Sequence, residues 1–432
     1  MMGNVNEPMS ASSPARRRLV QVVIGAGYAG LSAALAARRA ARTGSHKRNS
    51  ELILVNPTDK QTLVTQLYRV AAGTLPAAAA QIDLGPILAA YGIRLLTATV
   101  HEVDLEHRQI YFTDDQPPLT YDQLVLAAGS EPETFGIPGV MEYAIPLYGL
   151  AEAEKVAALV SQLRQDPTGP GLAIVGGGLA GVELAAELAE VLPAVPESST
   201  GARLRPVTLV EATPQLLPGL PGKVSRLALT HLQERGIRVR LGSPVAQVTG
   251  AGLILRDGSS VPARATVWAA GVRGHSRWVP AATRDRRGRL LVNSFLQLQD
   301  RPEVFACGDI ALATAQGRSQ PDAPTAQNAI LQGAAVGANL ERLASGRPLV
   351  PYRARNLGLL LALGRHQAAA VFGSTVLAGR HWQWIKEAVE AHYVWSVAGL
   401  GALLLQRLAA GGPRPNPTSP TVVSDHRVAL KA

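Results

Sequence analysis

The fold of this chain is decided by the stretch Gln21–Leu31, which reads QVVIGAGYAGL. Its first four residues form a short run, rich in β-branched side chains, of the kind that makes a buried parallel strand. Gly25, Gly27 and Gly30 follow at G-x-G-x-x-G spacing, and the alanine-rich sequence after them predicts a helix over residues 29–41. A strand, this glycine pattern and a helix in that order indicate a dinucleotide-binding βαβ unit.

Each glycine of the pattern has its own reason to be glycine. The first lets the chain turn off the strand, the second leaves room for a pyrophosphate, and the third lets helix and strand pack closely. The start of the helix then offers unpaired amide groups and the positive end of its dipole to the phosphates. A tight glycine turn without a ligand is the alternative interpretation.

A second stretch of the same type spans residues 172–183 and reads LAIVGGGLAGVE. Its glycines at 176, 178 and 181 repeat the first pattern, so the sequence predicts two dinucleotide folds in one chain. Glu183 lies on the first turn of the helix that follows. It is a candidate for a carboxylate near a nicotinamide, although the helix dipole alone favours an acidic residue there.

The residue at the end of the next strand differs between the two units. Glu211 ends that strand in the second unit, where a carboxylate accepts hydrogen bonds from both ribose hydroxyls and repels a 2′-phosphate. The sequence therefore predicts a preference for NADH over NADPH, with a solvated strand-end carboxylate as the alternative. Asn56 holds the matching place in the first unit and, lacking a carboxylate, is expected to bind an adenosine ribose more weakly.

Three more predicted strands end in small or acidic residues. Residues 124–129 and 267–271 read LVLAAG and VWAAG, two similar buried strands with glycine at their ends. Asp309 ends a third strand, residues 304–309, and is predicted to accept hydrogen bonds from a polyol of a bound cofactor. An Asx turn or a helix cap is the alternative for Asp309.

A further helix is predicted to start after Pro324, with Thr325 as its N-cap, and to run to about Ser345. Gln327 and Gln332 lie near its start, where their amides can hydrogen-bond a carbonyl ligand. A solvated helix face is the alternative for both glutamines.

Composition narrows the class of protein. At 432 residues the chain is too long for one ordinary core, so two or three domains are expected. The net charge of +10 favours anionic partners such as nucleotides, nucleic acid or acidic lipid headgroups, with general solubility as the alternative. The single cysteine, Cys307, permits no intramolecular disulfide and no CxxC redox pair. No histidine has metal-ligand spacing, so no metal is predicted.

The C-terminal region combines aromatic and basic residues. Trp382, Trp384 and Trp395 fall close together, and Lys386 lies between them. This mixture on a predicted amphipathic helix is typical of a membrane interface. No apolar run reaches the roughly 18 residues of a membrane-spanning helix, so the expectation is peripheral association. A packed core helix or a homodimer interface is the alternative.

Taken together, these residues resemble the two-dinucleotide-binding flavoproteins and, more narrowly, the type II NADH:quinone oxidoreductases, over roughly residues 19–410. The resemblance is carried by VGGGLAGVE at 175–183, FACGD at 305–309 and PTAQNAILQ at 324–332. It departs at Leu331, where the family has the first of two paired glutamines, and at Asn56, where an acidic residue is commoner.

The resemblance implies an α/β fold with two Rossmann-like domains. The FAD domain is expected over 19–146 and 290–365, the NADH domain over 147–289 is inserted into it, and a membrane-associating region covers 366–410. Disordered tails are expected at 1–18 and 411–432. The implied FAD contacts are Gly25, Gly27, Gly30, Asn56, Val100, Ala128, Gly129, Asp309, Ala326 and Gln327. The implied NADH contacts are Gly176, Gly178, Gly181, Glu183, Glu211 and Gly271. The implied quinone contacts are Gln327 and Gln332, and the implied catalytic residues are Glu183 and Gln327.

The implied activity is transfer of electrons from NADH through FAD to a quinone, without proton pumping, at the cytoplasmic face of the cell membrane. Nucleic acid is not an expected partner. Two alternatives stay open at this point. One is a soluble NADH-dependent flavin reductase that uses oxygen or a protein acceptor, and the other is a basic nucleotide-sensing binding protein.

Overall fold

The computed structural model describes residues 18–43, 50–167, 170–196, 203–204, 206–280, 284–355 and 357–411. Apart from Arg18 and Gly411, the tails that were expected to be disordered lie outside these residues.

The helices of the described residues have the following bounds: α1 Tyr28–Thr43, α2 Leu67–Ala71, α3 Leu84–Ala90, α4 Val140–Tyr143, α5 Leu150–Gln165, α6 Leu179–Val191, α7 Gly222–Glu234, α8 Ala326–Ala344 and α9 Arg380–Gly411. The strands have these bounds: β1 Leu19–Ile24, β2 Ser50–Asn56, β3 Lys60–Thr62, β4 Gln81–Asp83, β5 Arg94–Thr97, β6 Val100–Asp104, β7 Gln109–Phe112, β8 Leu119–Thr120, β9 Gln123–Leu126, β10 Ser130–Pro132, β11 Ala144–Pro146, β12 Leu172–Val175, β13 Val195–Pro196, β14 Arg203–Leu204, β15 Val207–Val210, β16 Arg238–Arg240, β17 Val245–Thr249, β18 Gly252–Leu255, β19 Ser260–Pro262, β20 Ala265–Trp268, β21 Val272–Gly274, β22 Leu290–Leu291, β23 Gln297–Leu298, β24 Arg301–Ala306, β25 Ala311–Leu312, β26 Leu359–Ala362, β27 Ala368–Phe372 and β28 Thr375–Gly379. Short 3-10 turns occur at Val64–Gln66 and Ala77–Ala80.

The chain divides into two compact units, each made of three segments. The first unit comprises residues 1–61, 83–131 and 273–356, and the second comprises 62–82, 132–272 and 357–432. These bounds differ from the expected domains. Residues 62–82, 132–146 and 357–365 group with the second glycine pattern, and residues 273–289 group with the first.

The first unit is built on a six-stranded sheet in the order β23-β24-β9-β1-β2-β5. All neighbours are parallel except β23, which runs antiparallel to β24. Helix α1 confirms the helix predicted over 29–41, and it packs closely on α8. A Cβ on Gly333 or Gly337 of α8 would collide with the carbonyl of Ala29 or Ala33, which explains why α8 has glycine at both positions.

The second unit is built on a five-stranded parallel sheet in the order β11-β20-β12-β15-β16. Every residue of β12 is buried, as its apolar sequence predicts for a central parallel strand. The order of strands reverses beside β12, because β15 follows it on one side and β20 lies on the other. Ligands of open α/β sheets bind at the carboxyl ends of the strands at such a point.

The end of the chain belongs to the second unit. Residues 359–379 form an antiparallel sheet in the order β26-β27-β28. Helix α9 follows and is interrupted at Gly399, whose φ of 80° is not helical. Within the described residues, no helix combines the length and the hydropathy that a membrane span would need.

Candidate dinucleotide sites and a buried ionic cluster

In the first glycine pattern, the outer two glycines are fixed by the fold and the middle one is not. Gly25 has φ of 98°, and a Cβ there would collide with the carbonyl of Ala127. A Cβ on Gly30 would collide with the carbonyl of Gly25. A Cβ on Gly27 would meet no atom within 4 Å, so this glycine borders open space at the start of α1. That is the arrangement a pyrophosphate needs in order to approach the backbone.

The second pattern repeats the first in detail. Gly176 has φ of 112° and leaves no room for a Cβ beside Ala269, and a Cβ on Gly181 would collide with the carbonyl of Gly176. Nothing lies within 4 Å of a Cβ placed on Gly178. Both units therefore carry a loop whose shape fits the diphosphate of a dinucleotide.

The strand-end residues Asn56 and Glu211 make the same contact in the two units. The amide of Ala26 donates to Asn56 Oδ1 at 3.0 Å, and the amide of Gly177 donates to Glu211 Oε2 at 2.6 Å. Each side chain therefore holds the residue after the first glycine. Glu211 is 7% exposed, so the alternative of a solvated carboxylate is wrong.

The second loop has an additional support that the sequence did not indicate. The amide of Leu217 donates to the carbonyl of Gly177 at 2.8 Å, and Leu217 adopts a left-handed φ of 55° to do so. The amide of Thr213 donates to Glu211 Oε1 at 2.7 Å. The segment after β15 thus folds back onto the glycine loop, and a glycine or asparagine at the left-handed position would have been the usual signal for such a turn.

In the first unit, three loops meet at the carboxyl edge of the sheet. The amide of Ala127 donates to Ile24 at 2.8 Å, and the amide of Cys307 donates to Leu126 at 3.1 Å. The segments after β1, β9 and β24 are therefore neighbours, and they bring the predicted residues Ala128, Gly129 and Asp309 to the edge that carries the glycine loop.

Asp309 is held at this edge as a mostly buried carboxyl group. Burial raises the pKa of Asp309, and a hydrogen bond from Ser130 Oγ to Oδ2 at 3.1 Å partly opposes that rise. A buried carboxylate gains from every further hydroxyl that donates to it. This chemistry fits the hydroxyls of a ribitol chain.

The two glutamines of α8 have different environments. Thr325 caps the helix as predicted, since its Oγ1 accepts from the amide of Asn328 at 3.3 Å. Gln327 follows Ala326 on the first turn, and its Nε2 donates to the carbonyl of Arg355 at 3.0 Å.

Gln332 lies inside the protein and is 3% exposed. Its Oε1 accepts from the amide of Gly308 at 2.8 Å, and its Nε2 donates to Asp322 at 3.2 Å. Both ends of this amide are therefore occupied by protein groups, and Gln332 fixes the turn before Asp309.

Two other predicted residues lie on separate elements. Val100 opens β6, in the three-stranded sheet β6-β7-β8 of the first unit. Gly271 follows β20 in the second unit and has φ of 142°.

Glu183 lies in a cluster of ionisable side chains that the sequence did not reveal. Lys386 Nζ lies 3.7 Å from Glu183 Oε1 and 2.6 Å from Glu390 Oε1. Its side chain is only 9% exposed, and it lies over the ring of Tyr68 at 5.6 Å. Glu183 Oε1 also accepts from the amide of Ala362 at 3.0 Å, and Gln66 donates to Glu390.

The electrostatics of this ionic cluster favour a charged lysine beside a carboxyl group that holds a proton readily. Burial raises the pKa of Glu183, and the opposing attraction of Lys386 does not cancel that rise. Burial is the largest single influence on Lys386 and lowers its pKa, but the combined attraction of Glu183, Tyr68 and Glu390 outweighs burial and the net shift is upward. One cation faces two carboxyl groups, so the cluster has a place for one extra proton.

The cluster corrects one sequence-based interpretation. Lys386 was grouped with basic residues that attract acidic lipids, but it points into the second unit. Helix α9 buries one face, with Gln383 5% and Val394 2% exposed, and the alternative of a packed helix holds for that face. A neighbouring face of the helix carries Trp384 at 68% and Trp395 at 52% exposure.

The sequence pattern of one protein family matches most of the chain. Residues 20–333 match the family described as pyridine nucleotide-disulphide oxidoreductase. The chain belongs to the pyridine nucleotide-disulphide oxidoreductase family.

Similar proteins confirm the resemblance seen in the sequence. A protein of Staphylococcus aureus named type II NADH:quinone oxidoreductase is 26% identical over 399 residues, which cover 90% of this chain and 98% of the relative. The structure of NDH2 from Plasmodium falciparum in complex with NADH aligns with a TM-score of 0.76 at 16% identity, over 92% of this chain and 99% of that one. The sulfide:quinone oxidoreductase of Aquifex aeolicus aligns with a TM-score of 0.72 at 18% identity, over 88% and 91% of the two chains.

This member of the pyridine nucleotide-disulphide oxidoreductases has no dithiol of its own in the matched region. Cys307 is the only cysteine between residues 20 and 333, and it is buried. Burial raises the pKa of its thiol to about 12, so it is not a nucleophile near neutral pH. Among the described residues, no group of three or more His, Cys, Asp and Glu side chains could hold a metal ion.

Proposed function

We propose that this oxidoreductase oxidises NADH through a bound FAD and passes the electrons to a quinone. One observation carries the proposal: each unit has a glycine loop whose middle glycine faces open space, held by its own strand-end side chain. Two dinucleotide loops fit two dinucleotides, one resident and one exchanging. The relatives whose sequences align over 90% of this chain are named quinone oxidoreductases, and these names support a quinone as the acceptor.

The first unit would hold FAD. Gly25, Gly27 and Gly30 fit its diphosphate, Asp309 fits the ribitol, and the start of α8 at Ala326 and Gln327 fits the flavin. The amides at a helix start favour negative charge, so α8 would stabilise the reduced form. When bound, the flavin supplies the chemistry that accepts a hydride and returns two electrons.

The second unit would hold NADH. Gly176, Gly178 and Gly181 fit the diphosphate, and Glu211 accepts from the adenosine ribose. The carboxylate keeps an acceptor site on each oxygen after the contacts to Gly177 and Thr213, because an ionised carboxylate has about four such sites.

Reduction of a quinone to a quinol consumes two protons, and the ionic cluster has groups that can hold one. The raised pKa of Glu183 favours a proton on that carboxyl group, and charged Lys386 lies within 3.7 Å to stabilise the ionised form after the proton leaves. We therefore assign Glu183 and Lys386 to proton supply. Gln327 stays the candidate for quinone contact, whereas Gln332 holds the Gly308 turn.

The family includes reductases that use a disulfide, and the thiol chemistry of this chain argues for another acceptor. A dithiol relay needs two cysteines and a reactive thiolate. The matched region has one cysteine, and its buried thiol stays protonated near neutral pH.

The exposed face of α9 fits a membrane surface. Trp384, Ile385, Val389 and Trp395 are between 40% and 68% exposed, although each is a large apolar side chain. Burying such a side chain is worth roughly 1.5–3 kcal/mol before entropic costs. We propose peripheral attachment through this face, which agrees with a quinone that is dissolved in the membrane.

The central test is turnover of the FAD-loaded protein with NADH and a panel of quinones. We expect extraction to release FAD, NADH to be preferred over NADPH, and quinone to accept electrons much faster than oxygen. Turnover with oxygen alone would favour the soluble flavin reductase. Salt-sensitive DNA binding with negligible turnover would favour the nucleotide-sensing protein.

A second test separates the two half-reactions by stopped flow. Gln327→Leu is expected to slow reoxidation by quinone more than reduction by NADH. Asn328→Leu, one position along the same helix, is the comparison variant. Equal slowing of both half-reactions by Gln327→Leu would remove its assignment to the quinone.

Flotation with acidic liposomes tests the attachment. The full-length protein is expected to float at low salt, and Trp384→Ser with Trp395→Ser is expected to abolish this. Flotation that survives both substitutions would place the membrane contact elsewhere.

A further inference from the structure

Phe135 combines exposure with an unfavourable backbone conformation. Its φ is 53°, a left-handed value that bulky side chains rarely adopt. Its ring is nevertheless 57% exposed, so burial of the ring does not explain why the conformation is kept. Residues held in such conformations by their surroundings are often at ligand sites.

The surroundings of Phe135 fix it firmly. The amide of Phe135 donates to Glu133 Oε1 at 3.0 Å, and the amide of Glu133 donates to the carbonyl of Gly271 at 3.0 Å. The indole of Trp268, at the end of β20, donates to the carbonyl of Glu133 at 2.8 Å. Two hydrogen bonds therefore tie this short segment to the end of one strand, and a third, inside the segment, holds the amide of Phe135.

Strand β20, which anchors the ring of Phe135, ends beside the glycine loop that is proposed to bind NADH. Strand β20 lies beside β12, on the side opposite β15 and Glu211. The residues after β20 pack against the first glycine of the loop, since a Cβ on Gly176 would crowd Ala270 Cα at 2.7 Å. The next residue is Gly271, and a Cβ there would lie 3.6 Å from Phe135 Cζ.

A dinucleotide that crosses the loop has two ends. In the proposed binding mode, its adenosine ribose is at Glu211 beyond β15 and its diphosphate is at Gly178. The other half must then extend across the end of β20, where the ring of Phe135 stands. Aromatic rings attract flat heterocycles by stacking or edge contact and exclude water from them.

We propose that Phe135 binds the nicotinamide half of NADH and that the exposed ring is part of this substrate site. The inference rests on the proposed function, because it takes NADH as the ligand of the second unit. The left-handed backbone places the ring at this position, and Gly271 leaves the space between ring and strand open.

The test compares two ligands that differ only at the nicotinamide end. NADH contains it, and ADP-ribose keeps the adenosine and the diphosphate but lacks it. Dissociation constants are measured by titration calorimetry, without oxygen, on the full chain with its FAD already reduced by dithionite, because oxidised FAD would take a hydride from NADH during the titration. Phe135→Ala is expected to weaken NADH by roughly five- to tenfold. The same variant should bind ADP-ribose within about twofold of the parent.

Three further variants make the result specific. Phe135→Gly removes the ring and suits the left-handed backbone, so it keeps the test valid if the alanine variant folds poorly. Phe135→Tyr keeps an aromatic ring and is expected to restore most of the NADH affinity. Met141→Ala removes another apolar side chain, 85% exposed in the nearby α4, and should change neither affinity.

Other outcomes overturn the inference in distinguishable ways. Equal weakening of NADH and ADP-ribose would make Phe135 a structural residue of the loop, and unchanged NADH affinity would remove its role altogether. If the parent protein binds ADP-ribose and NADH with no detectable affinity, the proposed function fails together with the inference.

Discussion

The two glycine loops share one architecture and differ in the side chain that holds them. In the first unit the loop is held by a neutral amide, whose Oδ1 accepts from Ala26 and whose Nδ2 donates to Thr58 at 2.8 Å. In the second unit it is held by a carboxylate that accepts two backbone amides and keeps further acceptor sites. After this contact, Asn56 has little remaining capacity to accept hydrogen bonds from a ribose, whereas Glu211 has more.

The helices that follow the loops differ as well. Neither α1 nor α6 has an acidic residue in its first turn, which corrects the expected position of Glu183, and α1 packs on α8 through alanine and glycine. Helix α6 carries Glu183 and Glu187, and Glu187 is 2% exposed with Thr74 Oγ1 donating to it at 2.5 Å. The first loop thus belongs to an apolar packing unit, and the second adjoins buried charge. This difference fits the proposed resident cofactor in the first unit and the proposed exchanging substrate in the second.

Removing the cation from the ionic cluster is expected to have the largest effect. Lys386→Met leaves Glu183 and Glu390 facing each other in a buried site, which costs about 3–5 kcal/mol of unfolding free energy. Urea denaturation of the parent and the variant measures this loss of unfolding free energy. Lys155→Met, which loses an exposed ion pair of 4.0 Å in α5, should cost less than about 1 kcal/mol.

A triple variant checks the reason for the Lys386 effect. Changing Glu183 and Glu390 to glutamine along with Lys386→Met should recover much of the lost stability, because no buried charge is left unpaired. No recovery would mean that packing of the lysine stem on Tyr68, and not charge, stabilises this site.

Substitution of the loop glycines by alanine is expected to have the next largest effect. Gly181→Ala is expected to cost about 1–3 kcal/mol in unfolding free energy, because the new methyl group collides with the carbonyl of Gly176. Gly178→Ala should leave stability within about 0.5 kcal/mol and weaken NADH binding strongly. Gly30→Ala and Gly27→Ala should repeat this contrast with FAD in the first unit. A destabilised Gly178→Ala protein would contradict the open space at that position.

The sequence predicts a structural feature well when the residues that interact in it are close together in the chain, and poorly when they are far apart. The glycine loops, α1 and the Thr325 cap follow from local patterns, because the residues that define them are neighbours in the chain. The partner of Glu183 could not be found in this way, since Lys386 lies on the last helix and looked like part of a basic membrane face. The left-handed turn at Leu217 was not predicted for a different reason, because leucine is not a residue that indicates such a turn.

Exchanging the strand-end acceptors has a smaller effect on selectivity. Glu211→Gln keeps one oxygen for the amide of Gly177 and removes the negative charge, so discrimination against NADPH should relax by roughly tenfold, about 1.4 kcal/mol. Glu211→Ala is less informative, because it also leaves two backbone amides without their acceptor at a cost of about 1–3 kcal/mol each. The ratio of kcat/KM for NADH and NADPH measures the change. A parent enzyme that already uses both equally would contradict the assignment of Glu211.

The smallest expected effect is a change in the pH dependence of stability, and it tests whether Glu183 holds a proton. Burial raises the pKa of Glu183 in the folded protein above that of an ordinary glutamate. Between the ordinary value and the raised one, the folded state therefore binds more protons than the unfolded state, and stability falls as pH rises. One proton contributes at most about 1.4 kcal/mol per pH unit over that window.

Glu183→Gln cannot titrate, so its unfolding free energy should decline less with rising pH than that of the parent. The informative quantity is the difference between parent and variant at each pH, because Asp309 also has a raised pKa and contributes equally to both proteins. Asp309→Asn provides the matched control, and its difference from the parent should report Asp309 alone. A flat or rising difference for Glu183→Gln would show that the attraction of Lys386 keeps Glu183 ionised at every pH. Proton supply would then have to be assigned to another group, and the contrast between the two loops would reduce to Asn56 against Glu211.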